Sequence, residues 1–528
     1  MGRKEYFKTF RFNLEVVTEK TNKATKAVVK KASTVQGMRS VFKNGTEEQI
    51  LFMLQKLMEI NDKRFLDDVQ SLLQHPSSKV KTAAIQNLYY LNTKAMVSNV
   101  SELLNTEDNN LTLATLEYIL LYADKNSTLV YDTYLDHAKI RIANAALYCL
   151  AREARDNHTL KVTYDLSGRI QTRIDASVNK QYSESELRLL LLVIGFSNIH
   201  KFYPFITQYF KSKEEMMVRS AIESAGISMS EIFVSDLISF LPQKVYRDAT
   251  ITALRNYGDK MMSELAMVVK KRMHTLEVCR FIPMAMKSFN SQIAVTALFQ
   301  LLNDTDLSIR LEVIRALSDL RKNRSELKFD KYKVVDLIFD ECKLYHMTVS
   351  AMHSQIIISY RNRKKSHKEI SLEERDARTS LLELLERRLD AGLERIFRLL
   401  GLKYTQKDIE MVYEGLLNDQ QEARTNAIEF LDNLLTGNLK RTLLPIIEES
   451  ALDISSEEIM QKIMHKIPTE LECFQILLKG NDLKLKLAVL YLIQQQKDKK
   501  YISIVENYVE SNDLKLRTFA KEALQALK

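Results

Sequence analysis

The sequence predicts an all-α fold, a stack of antiparallel helix pairs, and three observations predict it. The chain has only 12 Gly and 6 Pro in 528 residues, where average usage would supply roughly 60. Sheets and nucleotide-binding turns draw on both residues for chain reversal and positive φ, so so few of either leaves little room for strands. Second, a two-helix pattern recurs along the chain. Third, its spacing is nearly constant, and a helix pair that cannot bury both apolar faces alone must stack on its neighbours as a solenoid.

The repeat consists of two or three apolar residues, a short polar turn, then an aliphatic–basic pair that leads an amphipathic helix. It reads LLQHPSSKVKTAAIQNL from Leu72, LLNDTDLSIRLEVIRAL from Leu301 and LLNDQQEARTNAIEFL from Leu416. It returns as LLKGNDLKLKLAVLYL from Leu477 and YVESNDLKLRTFAKEAL from Tyr508, with weaker copies near Leu103, Tyr134, Phe210, Phe240, Val269 and Ile446. Successive starts in each run lie 29 to 32 residues apart. About 13 such pairs at 9–10 Å each would make an arc near ~120 Å long.

Taken in chain order, residues 1–43 form a basic amphipathic helix and linker, with 11 Lys and Arg against three acids. The remaining residues carry a net charge of only +1, so the overall +9 is concentrated at one end. Phe7, Phe10, Leu14 and Val17 make one apolar stripe, flanked by Lys4, Lys8 and Arg11. This segment is expected at an anionic membrane surface, where each Lys or Arg contributes about 1 kcal/mol before screening. The competing expectation is that the stripe caps the first repeat while its lysines stay in water.

Residues 44–360 form the first repeat block. The 76 residues from Tyr134 to Phe210 leave room for one irregular extra repeat around Ile174. Residues 361–402 hold a basic loop, Arg361–Lys368, and a long helix. Ser371 with Glu374 reads as its capping box and Gly401 as its stop. That helix of about 29 residues spans ~45 Å, unless Gly392 bends it, and is expected to join two rigid blocks. Residues 403–528 form the second block.

Tetratricopeptide repeats run to 34 residues with a Trp signature, and this chain has no Trp. The aliphatic–basic steps at Val80-Lys81, Ile140-Arg141, Val218-Arg219, Ile309-Arg310 and Leu516-Arg517 resemble the second-helix entry of HEAT repeats. Asp304 stands six residues before Arg310, the spacing of the Asp–Arg ladder in that family; Asn418 before Arg424 and His75 before Lys81 keep the base and lose the acid. The fold class expected is therefore an all-α HEAT-like α-solenoid, an α-α superhelix of short repeats.

Catalytic patterns are absent. There is no Gly-rich phosphate loop, GxGxxG, HExxH or CxxC, so no catalytic, cofactor-binding or metal-ligating residue is assigned and no cofactor is expected. Cys149, Cys279, Cys342 and Cys473 are too far apart for a local metal site and read as buried thiols of a cytosolic chain. His346 with His353, and His137 beside Asp136, lack a completing carboxylate or thiol and read as polar turn positions. The repeated Arg141, Arg219, Arg310, Arg424 and Arg517 stand as candidate partner-binding residues along one face, with inter-repeat hydrogen bonding as the competing role. No apolar run approaches the ~20 residues of a spanning helix; Leu189–Phe196, at eight, is the most apolar.

Within the second half, LERIFRLLGL (Leu393–Leu402), the Asp408-Ile409 step and NAIEFLDNLL (Asn426–Leu435) leading to LLPIIE carry a narrower likeness. The stretch Leu384–Glu449 resembles the cytosolic HEAT region of bacterial proteins related to ATP/ADP translocases of the major facilitator type, and Ser40–Leu57 resembles the start of that region more loosely. The resemblance implies a cytoplasmic module beside a membrane transporter-like domain, in cis or in trans, at the inner face of the cytoplasmic membrane. The chain shows neither the membrane helices nor the cyclic-nucleotide-binding domain of that family, so no transport or nucleotide role passes to any residue. The expected function is a non-catalytic scaffold or regulatory module with protein partners. A nucleic-acid-binding repeat protein or a stand-alone adaptor is the alternative; the near-neutral body of the chain argues against nucleic acid.

Overall fold

The computed structural model describes residues 33–528 apart from 61, 92–95, 99, 123–130, 179–181, 364–370, 451–467 and 481. It is all-α: about 80% of it is helical, and the described residues contain no strand. They divide into two compact units, one ending at Gly258 and one beginning at Asp259.

The first unit opens with α1 (Ser33–Asn44) and α2 (Glu47–Ile60), followed by α3 (Leu66–Ser71), α4 (Ser78–Leu91) and α5 (Asn109–Leu121). It continues with α6 (Asp132–Leu135), α7 (Ile140–Glu153), α8 (His158–Thr163), α9 (Leu166–Val178) and α10 (Glu184–Ser197). It ends with α11 (Tyr203–Tyr209), α12 (Glu215–Ser228), α13 (Val234–Ser239) and α14 (Lys244–Arg255). Long helices alternate with short ones. The long members α4, α5, α7, α10, α12 and α14 pack each on the next. Their buried faces follow the helical period, as Val218, Ala221, Ile222 and Ala225 do in α12.

Local chemistry sets the helix ends. Asp108 accepts from the amides of Asn110 and Leu111 at the start of α5, and Ser183 with Glu186 forms a capping box on α10. Asn198 and Met229 close α10 and α12 in the left-handed region. The long helices start at 78, 109 and 140, then at 184, 215 and 244. The wider step from 140 to 184 holds α8 and α9, the latter carrying Ile174, where the sequence places its irregular repeat.

Adjacent long helices approach closely at two glycines. A Cβ on Gly195 of α10 would stand 2.5 Å from the Ser224 carbonyl oxygen of α12, and one on Gly226 of α12 would stand 2.5 Å from Cα of Ala253 in α14. The two glycines are 31 residues apart, one on each successive helix. The Ser224 hydroxyl donates to the Leu191 carbonyl across the first of these contacts.

The second unit starts with α15 (Met261–Lys271), α16 (Leu276–Lys287), α17 (Gln292–Phe299) and α18 (Leu307–Asn323). It then departs from the short-helix pattern with α19 (Lys331–Arg363) and α20 (Leu372–Lys403), helices of 33 and 32 residues. Beyond them lie α21 (Gln406–Leu416), α22 (Gln421–Leu434), α23 (Gly437–Ser450), α24 (Glu470–Lys479), α25 (Leu483–Gln496), α26 (Ile502–Glu506) and α27 (Leu514–Leu527). The contacts Glu341–Arg395, Tyr345–Gly392 and Gln355–Arg378 run in opposite senses along α19 and α20, so the pair is antiparallel.

The junction expected at 361–402 is corrected by this pairing. The units divide between Gly258 and Asp259, and α19 with α20 is the spine of the second one. The C-terminal half of α20 packs on α18 and α21, while its N-terminal half shares a core with α24, α25 and α27 through Leu381, Leu385, Phe474, Val489 and Ala520. Ser371 caps α20 by accepting from the Glu374 amide, half of the expected capping box, while the Glu374 carboxylate accepts from Arg378. Gly401 does not stop the helix, which runs to Lys403 because Leu399, Leu400 and Leu402 are buried beside it. The start of the expected basic loop, Arg361–Arg363, belongs to α19, and residues 364–370 lie outside the described residues.

Candidate partner-binding surfaces

At four repeat turns a side chain accepts from the backbone amide two residues ahead, whereas in the repeat from Leu477 the corresponding position is Gly480. His75 Nδ1 accepts from the Ser77 amide at 3.1 Å, and Asp304 accepts from Asp306 at 2.8 Å. Asn418 accepts from Gln420 at 2.9 Å, and Ser511 from Asp513 at 3.2 Å. These four stand six residues before Lys81, Arg310, Arg424 and Arg517. The position that varies from Asp to His, Asn and Ser therefore keeps one physical property: a short side chain with an acceptor that satisfies a turn amide. His137 does the same for Lys139 at 3.0 Å, which gives that histidine a turn role.

The recurrent bases differ in what they reach. Arg310 Nε donates to the Asp304 carbonyl at 3.0 Å, closing its own turn, and Nη1 donates to Glu341 at 2.9 Å. Arg141 pairs with Glu107, and Arg219 reaches the Val245 carbonyl and Glu215. Arg424 and Arg517 make no side-chain ion pair among the described residues. Three of the five candidates are thus engaged in the fold's own turns and layers.

Arg247, which carries no aliphatic–basic signature strong enough to stand out in sequence, also closes a turn, donating to the carbonyls of Leu241 and Pro242 at 2.8 Å each. A search for a base six residues after each turn would find it. The carboxylate of Asp304 is held by Arg272. The Asp304 carboxylate is thus not paired with Arg310, which reaches only the Asp304 backbone carbonyl.

Two buried charge clusters hold the long helices. Glu341 lies between Arg310 and Arg395, with Arg395 Nε at 2.8 Å; Glu341 and Arg395 are each only 2% exposed. Arg388 stands close by with Asp482 at 4.0 Å, and burial followed by the nearby Arg395 lowers its pKa. Farther along, Arg378 donates to Gln355, Glu470 and Glu374 at 2.6, 2.7 and 3.0 Å. Glu470 also receives Gln496 and the Tyr501 hydroxyl, which ties α19, α20, α24 and α25 together. Neither cluster has a pattern visible in sequence, since the first pairs Arg388 with Asp482, 94 positions away, and the second joins Gln496 to Glu374, 122 positions away.

Reactive chemistry is suppressed at the thiols. All four cysteines are buried and free. Burial pushes Cys342 up to about 12 and Cys473 up to about 11, and raises Cys149 and Cys279 as well. None is poised as a thiolate. Glu117 is raised by burial against the pull of Arg152, and Glu223 by burial against Arg188; the Cys149 thiol that feels Glu117 is itself raised, by burial first and by that carboxylate second. No group of three or more His, Cys, Asp and Glu side chains among the described residues could hold a metal ion.

A cavity of about 500 Å³ forms a groove between α15 and α17 in the second unit. Met262, Ala266 and Ala297 form its floor, Met267 and Ile293 its walls, and Lys270 and Lys271 one end. The expected membrane-surface residues Phe7, Phe10, Leu14, Val17, Lys4, Lys8 and Arg11 lie outside the described residues. No described helix is long and apolar enough to cross a membrane.

No family model matches the chain, and no curated protein matches it. Among solved structures it is similar to a crystal structure of an engineered protein at 14% identity, over 88% of this chain and 98% of that one, with a TM-score of 0.19. A likeness that weak carries no argument about fold or function.

Proposed function

We propose that the chain is a non-catalytic HEAT-like scaffold or regulatory module that holds a protein partner. The observation that carries this reading is the use of its polar chemistry. The recurrent acceptors and most of the recurrent bases close turns or bridge layers, and the buried thiols are held protonated. What is left toward solvent is surface suited to binding, including an apolar groove of about 500 Å³, within the size range of ligand and partner sites. The repeat spacing and the turn–base pairing six residues apart favour the HEAT-like form.

The partner proposed is a membrane transporter-like protein, in cis or in trans, on the strength of the sequence resemblance over Leu384–Glu449. Crosslinking in the cells that make the protein, followed by mass spectrometry, tests this. Crosslinks from the described helices to an integral membrane transporter are expected; their absence, with crosslinks only to soluble proteins, would leave a stand-alone adaptor. Calorimetry with ATP, ADP and cyclic AMP tests the non-catalytic part, and a stoichiometric micromolar isotherm with any of them would overturn it.

A further inference from the structure

We infer that the groove between α15 and α17 is a docking site for an acidic amphipathic helix of a protein partner. The inference rests on the scaffold reading for its occupant being a protein and adds the place and the chemistry of contact.

The groove is built by two helix faces. Met262, Ala266 and Lys270 recur every fourth residue on α15, as do Gln292, Thr296 and Gln300 along α17. Small side chains at facing positions, Ala266 and Ala297, leave the trough, and Met267 and Ile293 rise beside it. Ile293 is half exposed. Methionines at such a surface adapt to the shape of an incoming helix.

Charge sets the occupant's sign. Lys270 and Lys271 line one end, and among the described residues no carboxylate lines the groove. Lys270 donates to Gln300 at 2.9 Å, so it is held across the C-terminal ends of both helices. The other end is braced, since Gln292 exchanges two hydrogen bonds with the backbone of Lys328, each 2.9 Å. A preformed trough with apolar floor and cationic end suits a helix whose leucines or isoleucines recur at i, i+4 and i+7 and whose flanking residues are Asp or Glu. Nucleic acid fits poorly, because the floor offers neither aromatic rings nor a line of bases.

The test uses the full chain and three fluorescein-labelled 18-residue peptides in anisotropy titrations. One has a Leu/Ala face flanked by Glu, one replaces Glu by Lys, and one scrambles the Glu peptide so that the apolar face is lost. Binding of the acidic amphipathic peptide at least tenfold tighter than either control is expected. Thr296→Trp, an exposed position whose indole would fill the trough, and Lys271→Glu, an exposed charge reversal, should each weaken that binding at least tenfold with the helical circular dichroism unchanged. Equal binding by the lysine or scrambled peptide, no measurable binding by the acidic one, or unchanged affinity in both variants would overturn the site. Partner crosslinking that persists in Thr296→Trp while peptide binding is absent would remove the groove and leave the scaffold reading standing.

Discussion

Removing the carboxylate of Glu341 would leave Arg310 and Arg395 facing each other in a buried space with no counter-charge between them. Breaking a buried pair from one side typically costs about 3–5 kcal/mol, so Glu341→Ala is expected to lower the unfolding free energy by that amount, read as a lower urea midpoint at unchanged slope. Lys322 and Glu410 make the contrast: they pair at 3.3 Å with both side chains largely exposed, and Glu410→Ala is expected to change stability by less than about 1 kcal/mol. A helix cap gives a pH-dependent case. Burial would raise the Asp306 carboxyl, but the Ser308 hydroxyl, the Ile309 and Ser308 amides and Arg280 together hold it below its usual value. A depressed carboxyl stabilises the fold above its unfolded pKa and loses that contribution as pH falls through the lower folded value. Asp306→Ala is therefore expected to cost about 1 kcal/mol at pH 7. In denaturation series from pH 7 downward that difference should shrink only below about pH 4.

At the scale of the helix, the glycines of α10 and α12 are spacing devices. Gly226 lets α14 approach until an added methyl would overlap both Cα and Cβ of Ala253 at 2.5 Å. Backbone atoms cannot swing aside, so Gly226→Ala is expected to cost about 1–3 kcal/mol through overpacking, despite alanine's higher helix propensity. Gly37 of α1 has nothing within 4 Å of the position its Cβ would take. There propensity alone acts, and Gly37→Ala is expected to stabilise by up to ~1 kcal/mol. Thermal unfolding of the two variants should move in opposite directions. Gly392 lies between these cases: its Cβ would meet the Tyr345 ring edge at 3.1 Å, and a ring can shift by tenths of an ångström where a backbone cannot.

For the whole molecule, the antiparallel pair α19 and α20 decides what can fold alone. The C-terminal helices complete their core on this pair: Cys473 and Phe474 share a cluster with Ala351 and Leu381, and Glu470 is held by Arg378 at 2.7 Å. A chain of residues 259–528 is expected to show full helical circular dichroism and a cooperative thermal transition. Residues 403–528 by themselves are expected to melt without cooperativity, because Leu485, Val489 and Ile493 would lose the apolar face of α20. A sharp transition in the shorter chain would restore the idea of a separate second block beginning near 403.

Composition and period, both local in sequence, determined the helical class and the positions of most long helices, because scarce Gly and Pro and a recurring apolar spacing act through short-range propensity and amphipathicity. They also marked the turn position before Lys81, Arg310 and Arg424. At Asp304, Asn418 and Ser511 sequence alone shows three unlike residues; the common acceptor is visible only once each is seen on an amide two residues ahead. The 31-residue interval between Gly195 and Gly226 is likewise legible, but its meaning depends on Ser224 and Ala253 pressing from the next helix. The reach of α20 past Gly401, the division after Gly258 and the clusters around Glu341 and Arg378 were decided by tertiary structure. So was the groove: Ala266 and Ala297 are ordinary helix residues in sequence and become a trough only when α15 and α17 lie side by side. In each case the deciding energy is burial or charge pairing between residues tens of positions apart, which no local pattern encodes.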